Sequence, residues 1–377
     1  MWKKILCLLL ALLMLLSCAA CGSKTPDPPQ NENNENSENQ EVTPEPLPPE
    51  NTEPDDNTEN AENTENTEPD PEPVVVNYMT GEPLEDPALV TRRPVAVMLN
   101  DIHVAMPQHG QSDADMIFEY NVEGGITRMV AFYLDPSKVG TIGSVRSARA
   151  CFVETVYGMD AIYVHAGGSP EAVQMISSYG ITDLNEGCSI FWRDSERRKT
   201  MAYEHTLMTS GENIANYLEK TGKRTELRDG FSYPITFVED ATPVNGETAA
   251  RVEAVFSNYK STTFTYDEAS GLYRIGQFNK AYVDGNTGEQ VTTTNVLVLR
   301  TSVVNSGDDK GRMNIDLRGS GQGVFFCGGK AEPITWAKEG PKSPFTYYHA
   351  DGTPLSLQVG HTYVCVIAKS ATLSYGS

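Results

Sequence analysis

The residues best suited to chemistry gather between positions 115 and 205. Glu119, Asn121 and Glu123 alternate along one run, and Arg128 follows after Gly124-Gly125. Two carboxylates and a guanidinium on a strand face could hold a charged ligand or act as an acid/base pair; an ordinary solvated face has the same pattern. Asp115 lies just upstream. Arg146 and Arg149 fall at a predicted helix start, where cations oppose the helix dipole, so they need a partner such as Asp115, Glu119, Glu123 or an anionic ligand. The stretch His165-Ala166-Gly167-Gly168-Ser169-Pro170-Glu171 reads as strand end, glycine turn, N-cap and first helical turn. Such a junction presents free backbone N–H groups to an anion. It has neither the lysine of a phosphate loop nor GxGxxG, so a nucleotide is not indicated. His165 reads either as a base or as a satisfied structural histidine. Trp192, Arg193, Asp194, Arg197 and His205 form a polar loop able to close over the same place.

Positioning these groups requires a mixed α/β framework. Val95 to Asn100 suits a buried strand. Ile117 to Val122 and Thr127 to Leu134 form a hairpin, and a two-residue Gly124-Gly125 turn sets Asn121 opposite Arg128. Alternation then puts Glu119, Asn121, Glu123 and Arg128 on one face. Ser144 or Ser147 caps a helix carrying Ala148, Cys151, Phe152, Thr155 and Val156 at helical spacing. Ala161 to His165 is a strand, and Ala172 to Tyr179 a helix. From about residue 241 onward alternating runs separated by glycine and asparagine turns predict strands. Trp336 with Lys338 could stack on a sugar or pack at a sheet edge. The expected class is α+β: a mixed α/β domain over 76–240, then a strand-rich domain over 241–377.

The first 75 residues have a different character. Lys3-Lys4 precedes the apolar run Ile5 to Leu16, too short to span a bilayer easily and typical of an export signal. The order Leu-Ser-Cys-Ala-Ala-Cys-Gly-Ser, ending at Ser23, looks like a bacterial lipobox. It predicts a signal peptide over 1–21 and a diacylglyceryl, palmitate-bearing cysteine at Cys21, with Cys18 as the alternative, tethering the protein to the outer face of the cell membrane. Residues 22–75 hold 11 of the 23 prolines and almost no large apolar side chain, so they read as a disordered linker. The 51 acids and 29 bases of the 377-residue chain are unevenly shared. Sixteen acids face only Lys24 between positions 22 and 73, so the rest of the chain is only mildly acidic. No basic cluster suggests nucleic acid. Cys151, Cys188, Cys327 and Cys365 include no CxxC pair, so no metal site or cofactor is expected.

The succession "RPVAVMLND", "PQHGQSDADMIFEYNVEGGITRMVAFY", "VGTIGSVRSARACFVE", "DAIYVHAGGSPEA", "FWRD" and "HTLMTS" resembles the YerB-like lipoproteins of Gram-positive bacteria over about residues 76–370. The resemblance implies two tandem domains of unknown function on a lipid anchor. The family commonly has proline after its "SAR" motif, where this chain has Ala150. The residues and the resemblance together point to a binding or scaffolding module for a cell-envelope ligand or protein partner. The alternative is a wall-directed hydrolase or transferase using Glu119 and Glu123.

Overall fold

A computed structural model describes residues 74–377; the signal peptide, Cys18, Cys21 and nearly all of the expected linker lie outside the described residues. The centre is an eleven-stranded sheet. Its principal strands are β1 (Val95–Asp101), β2 (Met116–Asn121), β3 (Thr127–Tyr133), β4 (Ile162–Val164) and β5 (Asp183–Leu184) from the first half of the chain. A second sheet contains β6 (Arg251–Val255), β7 (Ser261–Asp267) and β8 (Leu272–Gln277). The later strands of the large sheet are β9 (Asn295–Thr301), β10 (Gly319–Cys327), β11 (Lys330–Lys338) and β12 (Thr362–Ala368). The C-terminal β13 (Leu373–Gly376) returns to the second sheet beside β6.

From β11 the large sheet runs β10, β9, β12, β2, β3, β1, β4 and β5. Strand β12 pairs in parallel with both β9 and β2, so one continuous sheet crosses from the N-terminal half of the chain into the C-terminal half. Both of its faces are covered. Helices α1 (Ala150–Gly158) and α2 (Pro170–Tyr179) pack Phe152, Val156, Ala172 and Ile176 with Phe118, Tyr120 and Val130 on one side. Helix α3 (Gly211–Thr221) and the second sheet pack Ile214, Leu218, Val252 and Phe264 with Val97, Ile117 and Met129 on the other. Burial on both faces explains why β1 is an unbroken apolar run with no alternation until Asn100 and Asp101. Strand β7, covered on one side, keeps the alternation. The assembly is α+β and rich in strand, with three layers.

Two local expectations fail. The hairpin pairs Asn121 with Thr127 and Tyr120 with Arg128, one step from the expected register. The connection is longer than two residues because Glu123 to Gly125 make a 3₁₀ turn, with Gly124 and Gly125 both at positive φ (65° and 75°). A one-residue slip exchanges the faces of a strand. Arg128 therefore lies on the α1 side with Tyr120, and Glu119 lies on the side of the second sheet. In addition, neither Ser144 nor Ser147 caps α1: its N-cap is Arg149, with no side-chain cap bond. Trp336 and Lys338 are buried, 2% and 1% exposed, with Trp336 Nε1 donating to the Arg300 carbonyl, so this tryptophan offers no open sugar platform. All four cysteines in the described residues are free, and three are buried.

Candidate anion-binding site

Strands β1, β4 and β5 are parallel neighbours, and their carboxyl ends release the chain at Asp101, His165 and Asn185. In open α/β sheets such ends line the ligand crevice. Here the segment Gly143 to Arg149 crosses above them. Asn100 N–H donates to the Ser144 carbonyl (3.0 Å) and Arg146 N–H to that of Met98 (3.0 Å). The same segment then pairs with the glycine turn: Ala166 N–H donates to Arg146, Ala148 N–H to Gly167, and Ser169 N–H back to Ala148. Ala148 and Gly168 form a parallel bridge two residues before each of α1 and α2 begins. The two helices therefore start side by side.

Their starts differ chemically. Ser169 caps α2, its hydroxyl accepting from Ala172 N–H at 3.2 Å, and Pro170 and Glu171 fill the first turn as expected. Helix α1 has no capping side chain and no acid in its first turn. Its first position is Ala150, so an N–H is present that a proline would lack. Uncapped N–H groups and the dipole make this end electropositive.

The arginines add to that charge. Arg128 donates from Nη1 to the Ser147 carbonyl (2.8 Å) and from Nη2 to Glu123 (2.8 Å). Arg149 holds the same carboxylate through Nε (2.8 Å) and Nη2. Burial alone would raise the Glu123 carboxyl, but the hydrogen bonds from Arg149 and the charge of Arg128 hold it at about 2. Burial and the neighbouring Arg149 bring the Arg128 guanidinium down to about 9. Arg146 reaches the Glu204 carbonyl (2.9 Å) and is also lowered, first by burial. It feels Glu204, Arg149, Glu123 and Arg193, so it stands between the hairpin tip and the 193–205 loop. In that loop Arg193 stacks 4.0 Å above the exposed Tyr203 ring and donates to its carbonyl. His205 is buried against Asn100, ring Nδ1 to Nδ2 at 3.0 Å, and burial with Arg146 nearby favours its neutral form. Four arginines thus face two carboxylates, Glu123 and Glu204. The buried Nε atoms of Arg128 and Arg146 and the Tyr163 hydroxyl have no hydrogen-bond partner among the described residues.

The residues singled out from sequence separate accordingly. Glu123, Arg128, Arg146, Arg149, Gly167, Gly168, Ser169, Arg193 and His205 share this region. His165 adjoins it as a structural group, with Nδ1 at 2.8 Å from the Gly167 carbonyl and Nε2 at 3.3 Å from Asp183. Two residues leave the set. Asp115 lies before β2, at the other end of that strand from Glu123, where it accepts from Asn77 and from Leu134 N–H. At about 3.3 Å per residue the two are separated by roughly 20 Å or more along the hairpin. Glu119, on the opposite face, is fully buried against Lys260, Thr127, Thr262 and Tyr363. A sealed carboxylate and one held at about 2 by two arginines are poorly matched to acid/base work near neutral pH. Sequence reasoning missed Asp101 and Lys260 entirely. Asp101 only ends an apolar run, and Lys260 only precedes an alternating strand.

Fold and site together define a class: a strand-rich α+β protein whose N-terminal and C-terminal regions share one sheet and whose arginine cluster sits at parallel strand ends. Residues 79–224 match the family model described as "Protein of unknown function (DUF3048) N-terminal domain", and residues 252–364 match its C-terminal counterpart. The chain is 31% identical over 296 residues to "Putative lipoprotein YerB" of Bacillus subtilis (strain 168), covering 76% of this chain and 85% of the relative. A crystal structure of the YerB protein from Bacillus subtilis superposes with a TM-score of 0.69 at 28% identity, covering 79% of this chain and 99% of that one. The chain belongs to this YerB-like family, as the sequence motifs implied. Among the described residues no helix is long and apolar enough to cross a membrane.

Proposed function

We propose that the protein is a lipid-anchored extracytoplasmic binding module whose arginine cluster takes a phosphate or carboxylate of an envelope molecule. The anchor is supported by the Leu-Ser-Cys-Ala-Ala-Cys order ending at Cys21, and by the lipoprotein name of the relative. The linker would hold residues 76–377 away from the bilayer. One observation carries the binding reading: Arg128, Arg146 and Arg149 surround two adjacent helix starts, one of them uncapped, with Glu123 as the principal counter-charge. Such a cluster in a mildly acidic protein stores electrostatic energy that an anion would release. Gly167, Gly168 and Ser169 form the floor, while Arg193 and His205 line the side. The Glu123 carboxylate already occupies part of the site, so an incoming anion would meet Arg146 and the α1 start first.

Thermal-shift and calorimetric titration of the purified protein with inorganic phosphate, glycerol-phosphate polymer and muropeptides tests this. The expected result is salt-sensitive stabilisation by at least one of them, lost in Arg146→Gln with the fold intact. No shift with any anion would overturn the reading, and new muropeptide products would replace it with the hydrolase or transferase.

A further inference from the structure

A fully buried charged cluster lies on the other side of the β2–β3 hairpin, where the two family regions meet. Asp101, Glu119 and Lys260 are each fully buried, and Lys260 Nζ stands 3.0 Å from both Asp101 Oδ2 and Glu119 Oε1. Counting hydrogens shows that the two carboxyls share one proton, and Glu119, with more donors around it than Asp101, is the better placed to be ionised. Glu119 Oε1 accepts from Lys260 and faces the Thr127 hydroxyl at 2.7 Å; Oε2 accepts from Thr262 and Tyr363, both at 2.8 Å. Four donors fill the four acceptor positions of an ionised carboxylate. The Thr127 oxygen is also 2.6 Å from Asp101 Oδ2. A hydroxyl has one hydrogen. If Thr127 donates to Glu119, the second short contact needs a hydrogen from Asp101, so the order is Asp101 O–H to Thr127 to Glu119. With Lys260 charged, the cluster is then neutral, as a buried group should be.

We propose that Asp101, Glu119 and Lys260 form a single-proton latch between the N-terminal and C-terminal regions, closed while Asp101 keeps its proton and loosened when rising pH removes it. The latch spans five elements: Asp101 on β1, Glu119 on β2, Thr127 on β3, Lys260 and Thr262 at the start of β7, and Tyr363 on β12. The other titratable groups facing it are Tyr282, Cys365 and, through Tyr282, Asp284. Burial, reinforced by the nearby Glu119 and Asp101 carboxylates, keeps Tyr282, Tyr363 and Cys365 neutral far above physiological pH. Asp101 is therefore the group free to titrate, and burial, partly offset by Lys260, raises it. Gln277 adjoins the pair, its amide placed to donate to Asp101 and accept from Lys260.

A lid seals the cluster. Phe278 covers Lys260 Nζ at 5.0 Å and is flanked by His103 at 5.6 Å and Tyr259 at 6.3 Å. Both Phe278 and Asn279 have positive φ (52° and 58°), a conformation costly for a bulky aromatic. Outside the lid is a cavity of about 490 Å³ lined by His103, Met106, Pro107, Phe278, Lys280 and Tyr282. Loss of the proton leaves two carboxylates against one ammonium, and water entering past Phe278 would relieve them.

For the sign, a carboxyl raised in the folded state binds more protons there than in the unfolded chain, so its contribution falls as pH rises from about 4 to about 7. Infrared difference spectroscopy of the protein should show the carbonyl stretch of an un-ionised buried carboxylic acid at the lower end of that window. The band should vanish as pH passes the upper end and be missing from Asp101→Asn. Urea midpoints across the same window should lose a pH-dependent component in Asp101→Asn, whereas Glu119→Gln lowers the midpoint at every pH. A wild-type spectrum without the band, or a band unchanged in Asp101→Asn, overturns the latch. Asp115 is a second buried carboxyl raised to about 6, so should the Asp101→Asn variant not fold, Asp115→Asn decides: a band that persists there supports the latch, and one that disappears overturns it.

Discussion

Replacing Glu123 by Gln should destabilise the protein and expose its anion site in the same step. The side chain is 21% exposed and bridges Arg128, itself 3% exposed, and Arg149. Its carboxyl is depressed to about 2 in the fold, against about 4.3 in an unfolded chain. A difference of roughly two units corresponds to about 3 kcal/mol of stability. That agrees with the roughly 3–5 kcal/mol seen when one partner of a buried pair is removed. Because the folded value is the lower one, this stability is fully present above about pH 4.3 and disappears as pH falls towards 2. The Gln variant should therefore melt roughly 5–10 °C lower at neutral pH, with the gap closing on acidification. Inorganic phosphate should then stabilise the variant more than the wild type, since the forks of Arg128 and Arg149 are vacated. Urea and thermal unfolding between acid and neutral pH, with and without phosphate, measure both effects. A variant of wild-type stability at neutral pH, or one with an unchanged acid limb, would refute the assignment of Glu123 as the clamp between the two arginines.

Ser169→Ala removes the cap of α2 and should cost about 1 kcal/mol, read by urea denaturation. Gly211→Ala should largely prevent folding, because a Cβ there would collide with the Pro136 carbonyl oxygen; soluble yield and circular dichroism report it. Phe152→Ala empties a fully buried position between α1 and Tyr120 and should cost about 3–5 kcal/mol, measured as a fall in urea midpoint. Arg193→Gln breaks an exposed stack on Tyr203 and one exposed hydrogen bond to its carbonyl. It should change the melting temperature little while weakening anion binding if the 193–205 loop lines the site.

The sequence was most informative where one local rule decides the outcome. Ser169-Pro170 after Gly167-Gly168 fixes a capped helix start from four residues, and the structure has it there. The alternating runs and glycine turns beyond residue 241 likewise predict strands, and β7 and β8 pair around Gly271 with Asp267 opposite Leu272. Readings failed where a choice depended on distant groups. Gly124-Gly125 suits a two-residue turn, yet the connection lengthens because Glu123 is drawn to Arg149, 26 positions away, and the Gly125 carbonyl accepts from Ser257. Nothing near Ser147 shows that Arg149 will take the cap position, since that depends on pairing between 148 and 168. The latch was invisible for the same reason, because Lys260 meets Glu119 across 141 positions.

The hairpin register carries more than a packing preference. Strands β2 and β3 present Arg128 to one face of the large sheet and Glu119 with Thr127 to the other. A slip by one residue would move Arg128 towards Lys260 and Asp101, and Glu119 into the apolar layer of Phe118, Phe132 and Phe152. Either change would strand an unpaired charge in a buried layer, at a cost of several kcal/mol. The two polar clusters therefore stabilise the register from opposite sides: Glu123 ties the tip to Arg149, while Glu119 and Thr127 tie the strands to Lys260 and Tyr363. Strand β12, which supplies Tyr363, joins the sheet almost at the end of the chain, so one of these two ties comes from the C-terminal region. The arginine site is assembled wholly from N-terminal residues, yet the strand that carries Arg128 lies in a sheet that the C-terminal region completes through β12 and braces through Lys260 and Tyr363.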